Sequence, residues 1–469
     1  MVNRRCASSL AAGAALLLLG LPALPVHGAE AVEGRGYIVV LKDSVASPAA
    51  AARSQMRSAG GTTTSVYTRA VHGYAATMTP SQATALAKDP QVRFVSPQRT
   101  YRASPPRPPV TAFDCQASPV DRQCQPLYLD RIRADRSSTR SGDGKGSVDV
   151  NVAVFEGGVA ADVPDLNVPG GVDCLSGSPV VPGLSLEDHN GHGSLVAGII
   201  GARDDGQGLV GVAPGTPVWS IRVADDAGEI SDAAMLCGMD WLISTRGDDD
   251  PDNDIAIANM SLASIHTAPQ DADDRQCGTV NHDALHLAVC NAVAAGITTV
   301  AAAGNERVDI ARIAPAGYDE VITATAMADY DGKPGGKAVP PVCYGQDDGF
   351  HGEADDLASL EFSNFARSAT DRRHTLAAPG VCMESNFPLP AHHAVALGTS
   401  FASPVVAGVL ALCVHTDRCG DSTPALNLRT LVNDAHAYNE RRPGYGFFGD
   451  LHRPIPGRHY GPLIAADRY

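Results

Sequence analysis

From about residue 148 onward the chain alternates two textures. Short, continuous apolar runs rich in β-branched residues recur: VNVAVF (150–155), VWSIRV (218–223), IAIANMSL (255–262), ITTVAAA (297–303) and VITATAM (321–327). Runs of that length without polar alternation read as strands buried on both faces. Between and after them lie segments of helical length: SLVAGIIGA (194–202), SDAAMLCGMDWLI (231–243), HDALHLAVCNAVAAG (282–296) and SFASPVVAGVLALCV (400–414). The alternation predicts an α/β fold in three layers, a parallel sheet with helices on both faces. In such folds reactive groups gather at the carboxyl ends of the strands.

The first hundred residues follow another pattern. Tyr37–Lys42 and Val92–Val95 read as strands and Ser81–Lys88 as a short helix, which makes a small α+β unit. The stretch SPPRPPV, Ser104–Val110, has no periodicity and reads as a linker open to proteolysis. At the start, Arg4 and Arg5 precede an apolar stretch, Ala11–Leu24, broken by Pro22 and followed by Pro25 and the small-residue site Ala29-Glu30-Ala31. That is the pattern of a secretory signal peptide. The expected organisation is a signal peptide over 1–31, a small domain over 32–103, a linker over 104–114 and a main domain over 115–469. No later segment reaches about 18 consecutive apolar residues, so the mature chain is expected to be soluble, outside the cytoplasm and not held in a membrane.

Composition narrows the picture. The 469 residues carry a net charge of -16, with 19% charged and 44% hydrophobic residues, as a globular protein does. An acidic balance argues against nucleic acid as a partner. The charge is unevenly placed: residues 1–110 hold 12 Lys and Arg against 4 Asp and Glu, and the rest 24 against 48. A basic leader of +8 and an acidic body of -24 can attract each other in cis. Ten cysteines remain after the leader and no CxxC pair is present, which favours disulfides over zinc in an exported chain. Short spacing suggests Cys115 with Cys124 and Cys413 with Cys419.

Three segments at strand ends or helix starts carry chemistry: VAVFEGGV with Glu156, NGHGSLVAG with His192, and GTSFASPVVAG with Ser400. A hydroxyl, an imidazole and a carboxylate are the nucleophile, the general base and the group that orients the base in acyl transfer. A fourth segment, AAAGNE, ends a strand with Gly304 before Asn305, whose amide can donate to a developing oxyanion.

With these motifs in order, the chain resembles the subtilisin-like serine peptidases, the S8 family. GTSFASPVVAG is similar to the family's nucleophile helix, NGHGSLVAG to its histidine motif and AAAGN to its oxyanion segment. NMSLAS (259–264) resembles the strand that lines the substrate pocket, which implies substrate-binding roles for Ser261, Leu262, Ala263 and Gly304. Residues 37–101, with YIVVLKD and VHGYAATMT, resemble the family's inhibitory propeptide. The resemblance implies a subtilisin-like sheet and a secreted, extracellular or periplasmic serine endopeptidase made as a zymogen. It also implies protein or peptide substrates, the chain's own propeptide as intramolecular inhibitor, and a monomer.

The departures are specific. The family's Asp-Thr-Gly is here Glu156-Gly157-Gly158, Thr-His after the base is Ser194-Leu195, and the pocket Gly is Ala263. A carboxylate one methylene longer is expected to impair the reaction rather than abolish it, because misplacement by an ångström can cost on the order of a hundredfold. The alternatives are a catalytically degenerate protein that binds peptides and a peptidase that cuts only itself. No cofactor is expected beyond a structural calcium, for which the acidic run GDDDPDND (247–254) is the candidate.

Overall fold

A computed structural model describes residues 34–102, 115, 123–180, 186–265, 272–341, 353–388, 392–419 and 423–469. The expected signal peptide and linker lie outside the described residues. The amino-terminal unit contains β1 (Arg35–Leu41), α1 (Pro48–Ala59), β2 (Thr62–Tyr67), β3 (Gly73–Met78), α2 (Pro80–Leu86) and β4 (Val92–Pro97), and ends in the short β5 (Thr100–Arg102). Its four-stranded antiparallel sheet has the order β2-β3-β1-β4. Both helices start on side-chain caps: Ser47 accepts from Ala50, and Thr79 and Gln82 form a capping box.

Successive residues of a strand face opposite ways, and β1 uses both sides. Tyr37, Val39 and Leu41 join Ala52, Met56 and Leu86 in the unit's own core. Ile38 and Val40 belong instead to the apolar cluster formed by helices of the main domain. The small sheet is therefore sandwiched between its own helices and the rest of the protein.

The main domain opens with α3 (Leu127–Ile132), β6 (Val152–Glu156), β7 (Gly171–Asp173), α4 (His192–Gly201), β8 (Val218–Arg222), β9 (Glu229–Ser231) and α5 (Asp232–Ser244). It continues through β10 (Ile257–Met260), β11 (Ser264–Ile265), α6 (Ala284–Ala294), β12 (Thr298–Ala302), β13 (Ile313–Ala314), β14 (Val321–Ala328) and β15 (Leu357–Ala358). It closes with β16 (Thr375–Pro379), the hairpin of β17 (Met383–Asn386) and β18 (His393–Ala396), α7 (Thr399–His415) and α8 (Pro424–Arg441). Strands β7, β8, β6, β10, β12, β14 and β16 lie side by side and parallel, with β15 antiparallel at the end of β14.

Alternation along β6 shows why its run is apolar throughout. Val152 and Val154 pack with Leu195 and Val196 of α4 and Val405 and Val409 of α7, whereas Ala153 and Phe155 pack with Met235 and Leu236 of α5. Both faces of the sheet are covered, as the continuous strands predict.

Disulfides join Cys115 to Cys124 and Cys413 to Cys419, the two pairs expected from spacing. Two more join Cys174 to Cys237 and Cys277 to Cys290. No helix among the described residues is long and apolar enough to cross a membrane.

Candidate active site

The parallel sheet ends on one side at Glu156, Met260 and Ala302, and the starts of α4 and α7 lie against that edge. Glu156 is the last residue of β6 and is fully buried. Its Oε2 lies 2.7 Å from Nδ1 of His192, the first residue of α4. The first turn of α4 reaches the strand end because position 193 is glycine. A Cβ there would come 1.9 Å from the carbonyl oxygen of Gly158 and 3.0 Å from Cβ of Glu156.

Helix α4 has Gly191 at its cap position, with φ 81° and no side chain to accept the free amides. Asp188 takes that part, accepting from the amides of Gly191 at 2.8 Å and Ser194 at 2.7 Å. Asn190 accepts from the amide of His192 at 2.9 Å. These two side chains hold the imidazole's backbone, and neither was singled out from the sequence; an Asp-x-Asn pair just before an uncapped helix is the signal that points to them. Leu195 is buried packing.

Burial disfavours charge on both partners of the Glu156–His192 pair. Burial lifts Glu156 above the ordinary carboxylate range despite the adjacent imidazole. At His192 burial acts downward, but the Glu156 carboxylate outweighs it and holds the imidazole above its ordinary value. The two titrate as one unit, and a raised imidazole is the consequence that matters for a base. The other ring nitrogen, Nε2, is buried and has no hydrogen-bond partner among the described residues. The His192 ring sits 5.0 Å from that of Phe401, the neighbour of Ser400 on α7.

Ser400 is the second residue of α7. Its hydroxyl donates to the carbonyl of Ser261 at 3.0 Å, not to the imidazole. Pro404 lies inside the helix and has no amide hydrogen, so the carbonyl of Ser400, four residues earlier, lacks its helical donor. The hydroxyl of Ser261 supplies the donor at 2.8 Å, and the hydroxyl of Ser403 approaches at 3.4 Å. Asn259 in turn donates to the Ser261 hydroxyl at 2.9 Å. The side chain of Ser261 thus fastens the end of β10 to the first turn of α7.

Asn305 follows β12. Its Oδ1 accepts from both the amide and the hydroxyl of Thr399, each at 3.0 Å, and the Thr399 hydroxyl accepts from the amide of Gly304 at 3.0 Å. With Oδ1 occupied, Nδ2 is left as a donor beside Ser400, whose own amide is one of the unpaired first-turn groups of α7. Gly304 has φ 94°, and a side chain there would begin 2.3 Å from Nδ2 of Asn364 and 3.5 Å from Cβ of Ala263. Asn364 shapes this turn, accepting from the amides of Glu306 and Val308 at 3.1 and 2.8 Å. Ala263 and Gly304 therefore face each other, while Leu262 is buried in the apolar cluster beneath.

The segment that follows β10 is occupied. Arg102 of β5 donates its amide to the carbonyl of Ala263 at 3.2 Å, and on its other edge β5 pairs antiparallel with β9. The rest of the amino-terminal unit rests on α5 and α6. The amides of Thr68, Arg69 and Ala70 converge on Oδ1 of Asp240 at 2.9, 2.6 and 2.8 Å, and Asn291 donates to the carbonyl of Ala70 at 2.9 Å. Strand β5 thus adds to the segment after β10 by main-chain pairing, as an extended peptide does at an exposed strand edge.

The acidic run 247–254 is mostly exposed and turns on itself: Asn253 donates to Asp248 at 3.1 Å, and Asp250 accepts from the amide of Asp252 at 3.2 Å. Carboxylate oxygens converge elsewhere, within 4.8 Å at Asp329, Asp331 and Asp355. Hard oxygens suit calcium. There, however, the guanidinium of Arg131 lies 2.9 Å from Asp329 and supplies a counter-charge from the chain itself.

Comparison with known proteins identifies the family. Residues 148–447 match the Subtilase family and residues 36–104 the Peptidase inhibitor I9 family. The chain is 28% identical over 377 residues to subtilisin E of Bacillus subtilis, covering 80% of this chain and 79% of the relative. It is 31% identical over 306 residues to a thermostable alkaline protease of Halalkalibacterium halodurans, covering 65% and 67%. It is 29% identical over 333 residues to an extracellular serine proteinase of a Thermus species, covering 66% and 70%. The chain belongs to the subtilase family of serine endopeptidases and carries an I9 inhibitor propeptide.

Proposed function

We propose that this protein is an exported zymogen whose peptidase uses Ser400, His192 and Glu156, with glutamate in the place of the family's aspartate. The observation that carries the reading is the 2.7 Å contact from Glu156 to Nδ1, which leaves Nε2 of His192 without a partner among the described residues beside the Ser400 turn. For reaction, the Ser400 hydroxyl turns from the Ser261 carbonyl to Nε2. His192 takes the proton as Oγ attacks the substrate carbonyl, and Glu156 steadies the imidazolium. Nδ2 of Asn305 and the amide of Ser400 hold the oxyanion; one such donor is worth about 2.7–4 kcal/mol in subtilisin, a member of this family. His192 then protonates the leaving amine, and water reverses the steps on the acyl-enzyme.

The proposed organisation is a signal peptide over residues 1–31, a propeptide over 32–103, a processing region over 104–114 and a peptidase over 115–469, acting as a monomer. Export is supported by the disulfides and by a relative named as extracellular. Ala263 and the Ser261 backbone form one wall of the substrate cleft, with Gly304 opposite Ala263 and Leu262 in the apolar floor beneath.

Processing tests the reading. Purified precursor shortens to a species beginning within the linker, and the Ser400→Ala variant does not. The processed enzyme then digests casein in trans. Processing without casein digestion would identify a self-cleaving protein, and neither event a peptide-binding one.

A further inference from the structure

The propeptide strand does more than cover the cleft; its side chains enter acidic subsites built by the peptidase. Strand β5 lies antiparallel to β9, with Tyr101 opposite Ile230 and Arg102 opposite Glu229. On its other edge Arg102 bridges Ala263, and the Ser264 hydroxyl donates to the carbonyl of Thr100 at 2.9 Å. A substrate strand in that register brings the residue two places further on opposite Ser261, whose carbonyl holds the Ser400 hydroxyl. Counting that residue as the first before the scissile bond, the place of Tyr101 is the fourth and that of Arg99 the sixth.

Both places are chemically distinctive. Tyr101 is 1% exposed within an apolar cluster that includes Ile230 and Leu262, and its hydroxyl donates to Oδ1 of Asp232 at 2.5 Å. The Arg99 guanidinium grips Asp283 with two nitrogens, at 2.7 and 2.5 Å, and lies 5.5 Å over the Tyr101 ring. The Arg99 amide donates to Oδ2 of Asp232 at 2.7 Å.

The carboxylates are set by the peptidase. Asp283 caps α6, accepting from the amides of Leu285 and His286 at 3.0 and 3.2 Å, and receives the Tyr318 hydroxyl at 2.7 Å. Asp232 begins α5 just after the cap residue Ser231. Two acids held beside the cleft suit a cationic side chain and a hydroxyl, and a site built around a hydroxyl rejects the analogue that lacks it.

We infer that the cleft selects peptides with tyrosine at the fourth residue before the scissile bond and arginine at the sixth, read by Asp232 and Asp283. The inference rests on the peptidase reading above. Processed wild-type enzyme is given quenched fluorescent peptides that differ only at these places, with cut sites read by mass spectrometry. Tyrosine is expected to exceed phenylalanine in kcat/KM by about tenfold, and arginine to exceed glutamate by at least as much. In Asp232→Asn the Tyr-to-Phe ratio falls towards one; in Asp283→Asn the Arg-to-Glu ratio falls. If either variant does not fold, the wild-type series decides alone. Equal rates for all peptides, with casein digested normally, would overturn the inference and leave the peptidase standing. No cleavage of casein or of any peptide would overturn both.

Discussion

Ser261 and Ser400 hold each other reciprocally: the hydroxyl of Ser261 donates to the carbonyl of Ser400 at 2.8 Å, and the hydroxyl of Ser400 donates to the carbonyl of Ser261 at 3.0 Å. The first bond fills the gap left by Pro404, and the second holds the hydroxyl of the proposed nucleophile. Ser261→Ala removes the first and leaves the more distant Ser403 as donor. A thermal melt is expected to show a loss of about 1–3 kcal/mol. The kcat should fall more than KM changes, and Ser261→Thr should restore both. An unchanged melt would mean that another donor serves the Ser400 carbonyl.

Glu156 meets His192 at 2.7 Å with the main chain already drawn close by Gly193. In the proposed mechanism the 2.7 Å contact is made at the length of the glutamate side chain. Glu156→Asp shortens the reach and is expected to lower kcat on the order of a hundredfold. Glu156→Gln keeps the length and loses the charge, and should cost more, towards the roughly 3 × 10⁴ seen for loss of the triad carboxylate in subtilisin, within this same family. A faster Asp variant would show that glutamate is a handicap.

The same pair predicts the pH profile. The base must be neutral, so kcat/KM rises with pH through the His192 pKa. Burial acts to lower that pKa, but the Glu156 carboxylate outweighs it, so the rising limb lies above the ordinary imidazole value of 6.5. Glu156→Gln removes the opposing charge and should move the limb to lower pH. A limb that stays in place would separate Glu156 from the base.

Asn305 accepts from Thr399 and, in the proposed mechanism, donates to the oxyanion, and one substitution can separate the two. Asn305→Asp keeps an acceptor for Thr399 but removes the Nδ2 donor and places negative charge by the oxyanion. The kcat should fall about 10²–10³-fold or more, with the fold intact by circular dichroism. Retained activity would assign the oxyanion to other donors.

The peptidase core was legible because its strands are buried on both faces and so are apolar without interruption, as in β6 and β14. The candidate catalytic motifs sit where those runs stop. In the amino-terminal unit β1, α2 and β4 were readable, but α1 is PAAAARSQMRSA, too weakly patterned to announce a face, and β2 is TTTSVY, alternating with few apolar residues. Disulfides closing nine and six positions followed from spacing, whereas Cys174–Cys237, 63 positions apart, depends on how β7 and α5 pack. The inward turn of the Ser261 hydroxyl was not readable, since it answers a missing amide at Pro404. Nor were the partners of Arg99 and Tyr101, because Asp232 and Asp283 lie more than a hundred residues away and meet them only through the docked strand.

The most direct test of the account is covalent labelling of the processed enzyme with a fluorophosphonate, followed by peptide mapping. One adduct per chain on Ser400 is predicted, with labelling greatly slowed in His192→Ala and slowed in Glu156→Gln, both variants having been freed of the propeptide by wild-type enzyme acting in trans. No adduct on Ser400 in a folded, processed enzyme, or equal labelling in all three proteins, would contradict it.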